Sequence, residues 1–275
     1  MAKHKRTEMI LENAISVLAD CHPMTVRQVY YQLVSRQVID NTRSQYQMVS
    51  KLLVKARQEE FIPWNWIEDR LRKPRGVPMW DDLNSFAESV LYSYRRDIWA
   101  EQPTYFEFWL EKDALSGIFE DVLGEYGITL NVGRGYDGWS SIRNAAARFG
   151  DGDGVTVLYY GDFDPSGEDM VRSLRERLAF FGCEPEIVKC ALTKDDVIRY
   201  NLPPDYTKKT DTRTAAFVDK YGDMAVELDA LPADVLETSI RKNVERYLDM
   251  DALERVQLTE QRDKQRLLAA LGGVK

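Results

Sequence analysis

Between residues 104 and 192 the chain repeats one pattern. Short apolar runs at 105–110, 128–132, 155–160 and 186–192 are separated by stretches with helical spacing at about 114–126, 140–149 and 168–181. A strand–helix alternation of this kind folds as a small parallel sheet with helices on both faces, because each crossover must carry the chain back to the same sheet edge. In such sheets the working site lies at the carboxyl ends of the strands. Glu111, Asp162 and Asp164 all fall there.

Asp162 and Asp164 stand two residues apart just past the 155–160 run, so an extended backbone is expected to point both carboxylates the same way. Beside the glycine-relieved turn Gly161-Asp162-Phe163-Asp164-Pro165-Ser166-Gly167 they suggest a hard-oxygen site for Mg²⁺, with Mn²⁺ as a substitute. An EF-hand is excluded, since the twelfth position from Asp162 is Ser173. A phosphatase of the haloacid-dehalogenase type also begins Asp-x-Asp after a strand, and Asp195-Asp196 could supply its later acids. That reading leaves the front of the chain unexplained. The bland alternative is two acids placed favourably at a helix N-terminus.

The front third is different. The whole chain has 37 basic and 45 acidic residues, a net charge of −8 that argues against a nucleic-acid partner. Residues 1–76, however, carry 13 basic and 8 acidic residues, leaving 24 and 37 for the rest. A basic front on an acidic body is the asymmetry of a nucleic-acid-reading module joined to another domain. Pro74, Gly76 and Pro78 punctuate the change. The domains are therefore read as 1–76, a DNA-binding module; 77–103, a linker or connecting helix; 104–200, the sheet domain; and 201–275, a helical extension. No run is long and apolar enough for a membrane span, the two histidines and three cysteines have no catalytic or zinc spacing, and the expected location is cytoplasmic, nucleoid-associated in a prokaryote.

Three helices are predicted in the module, at about 7–19, 25–36 and 42–59, with Thr25 as an N-cap. Such a set suits a helix-turn-helix, with Arg43, Gln47, Lys51 and Lys55 forming an i+4 row on one face of the third helix. Phe61 to Arg75 interleaves aromatic and basic residues as a wing would, offering Arg70, Arg72, Lys73 and Arg75 to phosphates. Trp64 and Trp66 are expected to pack beneath it. On the second helix Tyr30 falls in the apolar stripe, whereas Tyr31 lies roughly 130° from its centre and is expected to face outward, one turn from Arg27. A phenol so placed is a candidate nucleophile, its pKa lowered by nearby positive charge.

These motifs resemble a known family. Phe108-Trp109-Leu110-Glu111-Lys112-Asp113-Ala114 and the Asp162-x-Asp164 turn are similar to the two signatures of Toprim domains, in the form seen in the A subunit of DNA topoisomerase VI and its meiotic double-strand-break relatives. Gly133-Arg134-Gly135-Tyr136 resembles that family's glycine turn. Arg27-Gln28-Val29-Tyr30-Tyr31 resembles its winged-helix Arg-x-x-Tyr-Tyr helix, and Glu227-Leu228-Asp229-Ala230-Leu231 a later segment. The resemblance implies a winged-helix domain followed by a four-stranded Toprim domain. It implies Mg²⁺ on Glu111, Asp162 and Asp164, Tyr31 as the nucleophile toward double-stranded DNA, Arg27 on the phosphate and Glu111 as general acid/base. Lys112, Arg134, Glu227 and Asp229 are additional site candidates. A homodimer is implied, in which Tyr31 serves the partner's metal site, with an ATPase on a separate chain. The rivals are a metal-dependent nuclease that hydrolyses DNA without Tyr31 and a DNA-binding module whose Toprim site is vestigial.

Overall fold

The computed structural model describes residues 2–68, 77–133, 138–204 and 213–272. It is a mixed α/β protein, mostly helical, around a four-stranded sheet whose strands are all parallel. The chain begins with α1 (Ala2–Cys21), α2 (Val26–Ser35) and α3 (Arg43–Gln58). Thr25 starts α2 with a capping box: its side chain accepts from the Gln28 N–H and its own N–H donates to the Gln28 side chain. Thr42 caps α3 in the same position. After α4 (Leu83–Ser93) the β/α part runs β1 (Tyr105–Leu110), α5 (Ser116–Tyr126), β2 (Leu130–Val132), α6 (Trp139–Phe149), β3 (Val155–Tyr160), α7 (Pro165–Phe180), β4 (Glu186–Ala191) and α8 (Lys194–Arg199). Then come α9 (Thr214–Tyr221), a 3₁₀ turn at Leu228–Ala230, α10 (Ala233–Tyr247) and α11 (Met250–Gly272).

The strands lie in the order β2-β1-β3-β4. Strand periodicity divides the sheet's side chains between two cores. Val155, Val157 and Tyr159 on β3 and Trp109 on β1 pack beneath α6 and α7 with Ile142, Phe149, Leu174 and Leu178. Phe106, Phe108, Leu158 and Tyr160 face the other way, onto Phe119 of α5 and Ile240 and Val244 of α10. That second core runs without a break into Leu18, Val29, Leu33 and Leu53 of α1, α2 and α3. Each such side chain, nearly free of solvent, contributes roughly 1.5–3 kcal/mol. This continuity holds α2 against the carboxyl end of the sheet.

The expected third-helix row is present: Arg43, Gln47, Lys51 and Lys55 are all exposed on α3. The basic residues of the expected wing, Arg70, Arg72, Lys73 and Arg75, lie outside the described residues. What precedes them is a 3₁₀ turn at Trp64–Trp66 and a single bridge between Met24 and Ile67. Trp66 packs as expected, stacked on His22 at 4.6 Å. Trp64 does not; it is 61% exposed, with the Arg57 guanidinium 4.9 Å from its ring centroid.

Candidate functional site at the carboxyl ends of β1 and β3

Four elements bring charged and polar side chains to one place. The end of β1 delivers Glu111 and Lys112, the loop after β3 delivers Asp162 and Asp164, the 3₁₀ turn delivers Glu227 and Asp229, and α2 delivers Arg27 and Tyr31. The Phe163–Val226 bridge ties the last two loops of the body together. Lys112 is the hub. Its Nζ lies 2.9 Å from Asp162 Oδ1, 2.9 Å from Glu227 Oε2 and 3.1 Å from Asp229 Oδ2. Arg27 closes the cluster from the other side, with Nε 3.0 Å from Asp229 Oδ2 and Nη2 on Glu227 Oε2.

Tyr31 corrects two expectations. It does not face outward: only 6% of it is exposed, because the 3₁₀ turn at Leu228–Ala230 covers the flank of α2 opposite its apolar stripe. Nor is its pKa lowered. Burial, and then a hydrogen bond from its hydroxyl to Glu227, hold the phenol well above its usual range, and the nearby Arg27 and Lys112 only partly offset this. Arg27 does meet Tyr31 as helical spacing predicts, its guanidinium 5.6 Å from the ring centroid.

The two aspartates after β3 also depart from expectation. Their carboxylates diverge. Asp162 turns inward, taking the Leu228 N–H at 2.8 Å as well as Lys112. Asp164 is the N-cap of α7, accepting from the Gly167 N–H at 2.6 Å and the Ser166 hydroxyl at 3.0 Å. The free N–H groups of the helix terminus attract Asp164, while the like charge of Asp162 gives it nothing to turn toward. Among the described residues no three acids are grouped closely enough to hold a metal ion as they stand.

Glu111 joins the two strand ends, its Oε2 accepting the Asp162 N–H at 2.9 Å. Glycine is required beside it. A β-carbon on Gly161 would lie 2.5 Å from Glu111 Oε2, and one on Gly167 would collide with the Asp162 carbonyl. Burial, then the Asp162 charge, push Glu111 up to about 7. Burial likewise raises Asp162 against the opposing pull of Lys112. Glu227 goes the other way: burial works to raise it, but Lys112, the Tyr31 hydroxyl and Arg27 together hold it at about 2.

No protein-family model matches the chain, and no curated protein matches its sequence. The site therefore rests on its own geometry.

Of the sequence candidates, Arg27, Tyr31, Glu111, Lys112, Asp162, Glu227 and Asp229 are brought together. Asp164 is adjacent but committed to its helix. Arg43, Gln47, Lys51 and Lys55 lie on a separate face, and Arg134 is outside the described residues. Asp196 completes the capping box of α8, taking the N–H and hydroxyl of the N-cap Thr193, so it supplies no acid here.

Two positioning groups escaped the sequence reading. Lys189 on β4 donates to the Asp162 carbonyl at 3.0 Å and pairs with Glu168 at 2.7 Å, fixing the loop from the neighbouring strand. Glu107 is wholly buried within β1, held by Tyr105, Trp109, Asn131 and Arg148. A charged residue inside a fully apolar strand is the signal that could have found it, since such a group demands a partner.

Proposed function

We propose that this chain cleaves double-stranded DNA in a Mg²⁺-dependent reaction, with Tyr31 as the attacking group, in the manner of the A subunit of DNA topoisomerase VI. The observation that carries the reading is the gathering of Tyr31 and Arg27, from the basic front of the chain, onto the Glu111–Lys112–Asp162 strand ends. Phenol, guanidinium, amine and carboxylates within one cluster are the parts a phosphoryl transfer needs. On this reading α1–α3 form a winged-helix module with α3 in a DNA groove, the sheet is a Toprim domain, and two copies pair, with an ATPase on another chain. Tyr31 then serves the strand ends of its own chain rather than the partner's, which the resemblance had implied. The place of work is the cytoplasm or nucleoid.

The cluster has acid in excess for a divalent cation, although its carboxylates must turn toward one another to hold one. Among the described residues five carboxylates face Arg27 and Lys112, burial and then the Asp162 charge raise Glu111, and the buried Asp229 Oδ1 has no hydrogen-bond partner. Glu111, Asp162 and Asp164 would hold Mg²⁺, which supplies charge stabilisation to a phosphoryl oxygen.

The chain's own groups do the rest. Tyr31 Oη forms a bond to phosphorus as the bond to the 3′ oxygen breaks, giving a phosphotyrosine. The Tyr31 proton passes to solvent water as this bond forms, since Glu227, held at about 2, is too weak a base to take it. Glu111, with a pKa near neutrality, delivers a proton to the departing 3′ oxygen. Arg27 neutralises charge on the phosphate.

A second reading is hydrolysis without Tyr31, and the burial of that hydroxyl favours it. One experiment separates them. Supercoiled plasmid is incubated with protein and Mg²⁺, denatured, and run with and without protease. Cut DNA that enters the gel only after proteolysis is the expected result, with Tyr31→Phe and Asp162→Ala each reducing cleavage at least about a thousandfold. Cleavage that Tyr31→Phe leaves intact would establish hydrolysis. Loss of no activity in Asp162→Ala would remove the strand-end site altogether.

A further inference from the structure

We infer that Arg27, Lys112 and Tyr31 form a ready-made seat for a phosphodiester oxygen, and that the chain's own Glu227 carboxylate occupies this seat until substrate displaces it. Donors from two separate parts of the chain, α2 and the end of β1, meet on this one carboxylate. Arg27 Nη2 and Lys112 Nζ both reach its Oε2, the latter at 2.9 Å, and the Tyr31 hydroxyl faces the same group. Guanidinium, ammonium and phenol converging on one anionic oxygen is the donor set that recognises a phosphoryl group. A carboxylate is its nearest internal stand-in, carrying charge of the same sign on oxygens of similar acceptor strength.

The other acids of the cluster are placed differently. Asp229 has no exposed side-chain surface, and Asp162 is fixed by the Leu228 N–H. Both are built into the floor. Glu227 alone combines contact with all three donors and a side chain that is 31% exposed, so it can leave toward solvent while the floor stays in place. Arg27, at 42% exposed, is open on the same side. If Glu227 departs, Arg27 and Lys112 keep Asp229 and Asp162 as partners and gain room for one further anion. The exchange explains how a buried Tyr31 comes to face a phosphate: the group that covers its hydroxyl is the one that the phosphate replaces.

The inference rests on the DNA-cleaving reading only for the identity of the phosphodiester. It is tested on the full chain in EDTA, so that no metal contributes, by fluorescence anisotropy with a short labelled duplex and by calorimetry with inorganic pyrophosphate. Glu227→Gln keeps the size and hydrogen bonding of the side chain and removes its charge. It should bind both probes about tenfold tighter than the parent, a shift of about 1.4 kcal/mol. Adding Arg27→Met to it should abolish the gain. Unchanged or weaker binding by a Glu227→Gln protein with the parental melting temperature overturns the proposal. Should that variant melt early, ¹³C-tyrosine NMR of the parent decides instead. Pyrophosphate should move the ring signal assigned through Tyr31→Phe, and a signal that stays fixed at saturation overturns the proposal. Tighter pyrophosphate binding with no duplex binding keeps the seat and discards DNA as its ligand. Plasmid cleavage with no effect of Glu227→Gln on either probe does the reverse.

Discussion

Strand β1 and the residue just past its end carry two carboxylates four residues apart, and their surroundings could hardly differ more. Glu107, in mid-strand, is fully buried and fully answered. It takes hydrogen bonds from the Tyr105 hydroxyl at 2.7 Å, from the Arg148 guanidinium at 2.8 and 2.9 Å, and from Trp109 and Asn131. Glu111, at the strand end, stands among four other acids; among the described residues Lys112 and Arg27 pair with that group, and one of its oxygens, Asp229 Oδ1, has no partner. A balanced cluster holds the sheet together. An unbalanced one stores unfavourable charge that a cation or a reaction can relieve.

The largest effect should come from breaking the balanced cluster. Arg148→Met leaves Glu107 buried without its counter-charge, and chemical denaturation should show a loss of about 3 kcal/mol, the low end for a broken buried pair because Arg148 is 39% exposed. Restoring neutrality with Glu107→Gln in the same protein should recover much of it. A double variant no more stable than Arg148→Met would mean that packing, not charge, is what the pair provides.

The unbalanced cluster should respond with the opposite sign. Glu111 has its pKa raised to about 7 in the folded protein, so the native state binds more protons than the unfolded chain between about pH 4.5 and 7. Its contribution to stability is thus greatest below the unfolded pKa and is lost as pH rises through 7. Glu111→Gln, which can still accept the Asp162 N–H, should leave stability at pH 4 nearly unchanged and raise it at pH 8 by about 2 kcal/mol. Melting curves of the two proteins across this range measure the difference. Parallel curves would show that the strand-end charge is already balanced and would erase the contrast with Glu107.

The same contrast explains what could be read from the sequence. The strands 105–110 and 155–160 match β1 and β3 to the residue, because a run buried on both faces is apolar nearly throughout, Glu107 being the exception in β1. The cap at Thr25 was equally visible, being local. Asp164 was legible only by halves: its place after β3 was clear, but its capture by the α7 terminus depends on a backbone turn that spacing does not show. Tyr31 was misjudged for a different reason. A helical wheel reports one helix, and the cover over Tyr31 comes from residues about two hundred positions later in the chain, where Arg27 meets Glu227 and Asp229. Glu107 was overlooked because four separate partners, none of them adjacent in a motif, make it tolerable.

That difference in reach yields the smallest and most selective prediction. The Glu107 cluster draws only on β1, β2 and α6, whereas the strand-end cluster borrows Arg27 and Tyr31 from α2. The N-terminus of α2 hangs on Thr25, whose hydroxyl accepts the Gln28 N–H at 3.2 Å and whose N–H donates to Gln28 at 2.7 Å. Thr25→Ala removes the first of these and should cost about 1 kcal/mol. Most of that loss should be local, felt as fraying of the first turn, where Arg27 sits. Native-state hydrogen exchange should therefore show faster exchange in α2 and in the Leu228 N–H that Asp162 holds, with the Phe108 and Trp109 amides of β1 unchanged. Uniform acceleration through both clusters would show that α2 and the sheet open as one unit, and that the strand-end site is no looser than the core from which its carboxylates emerge.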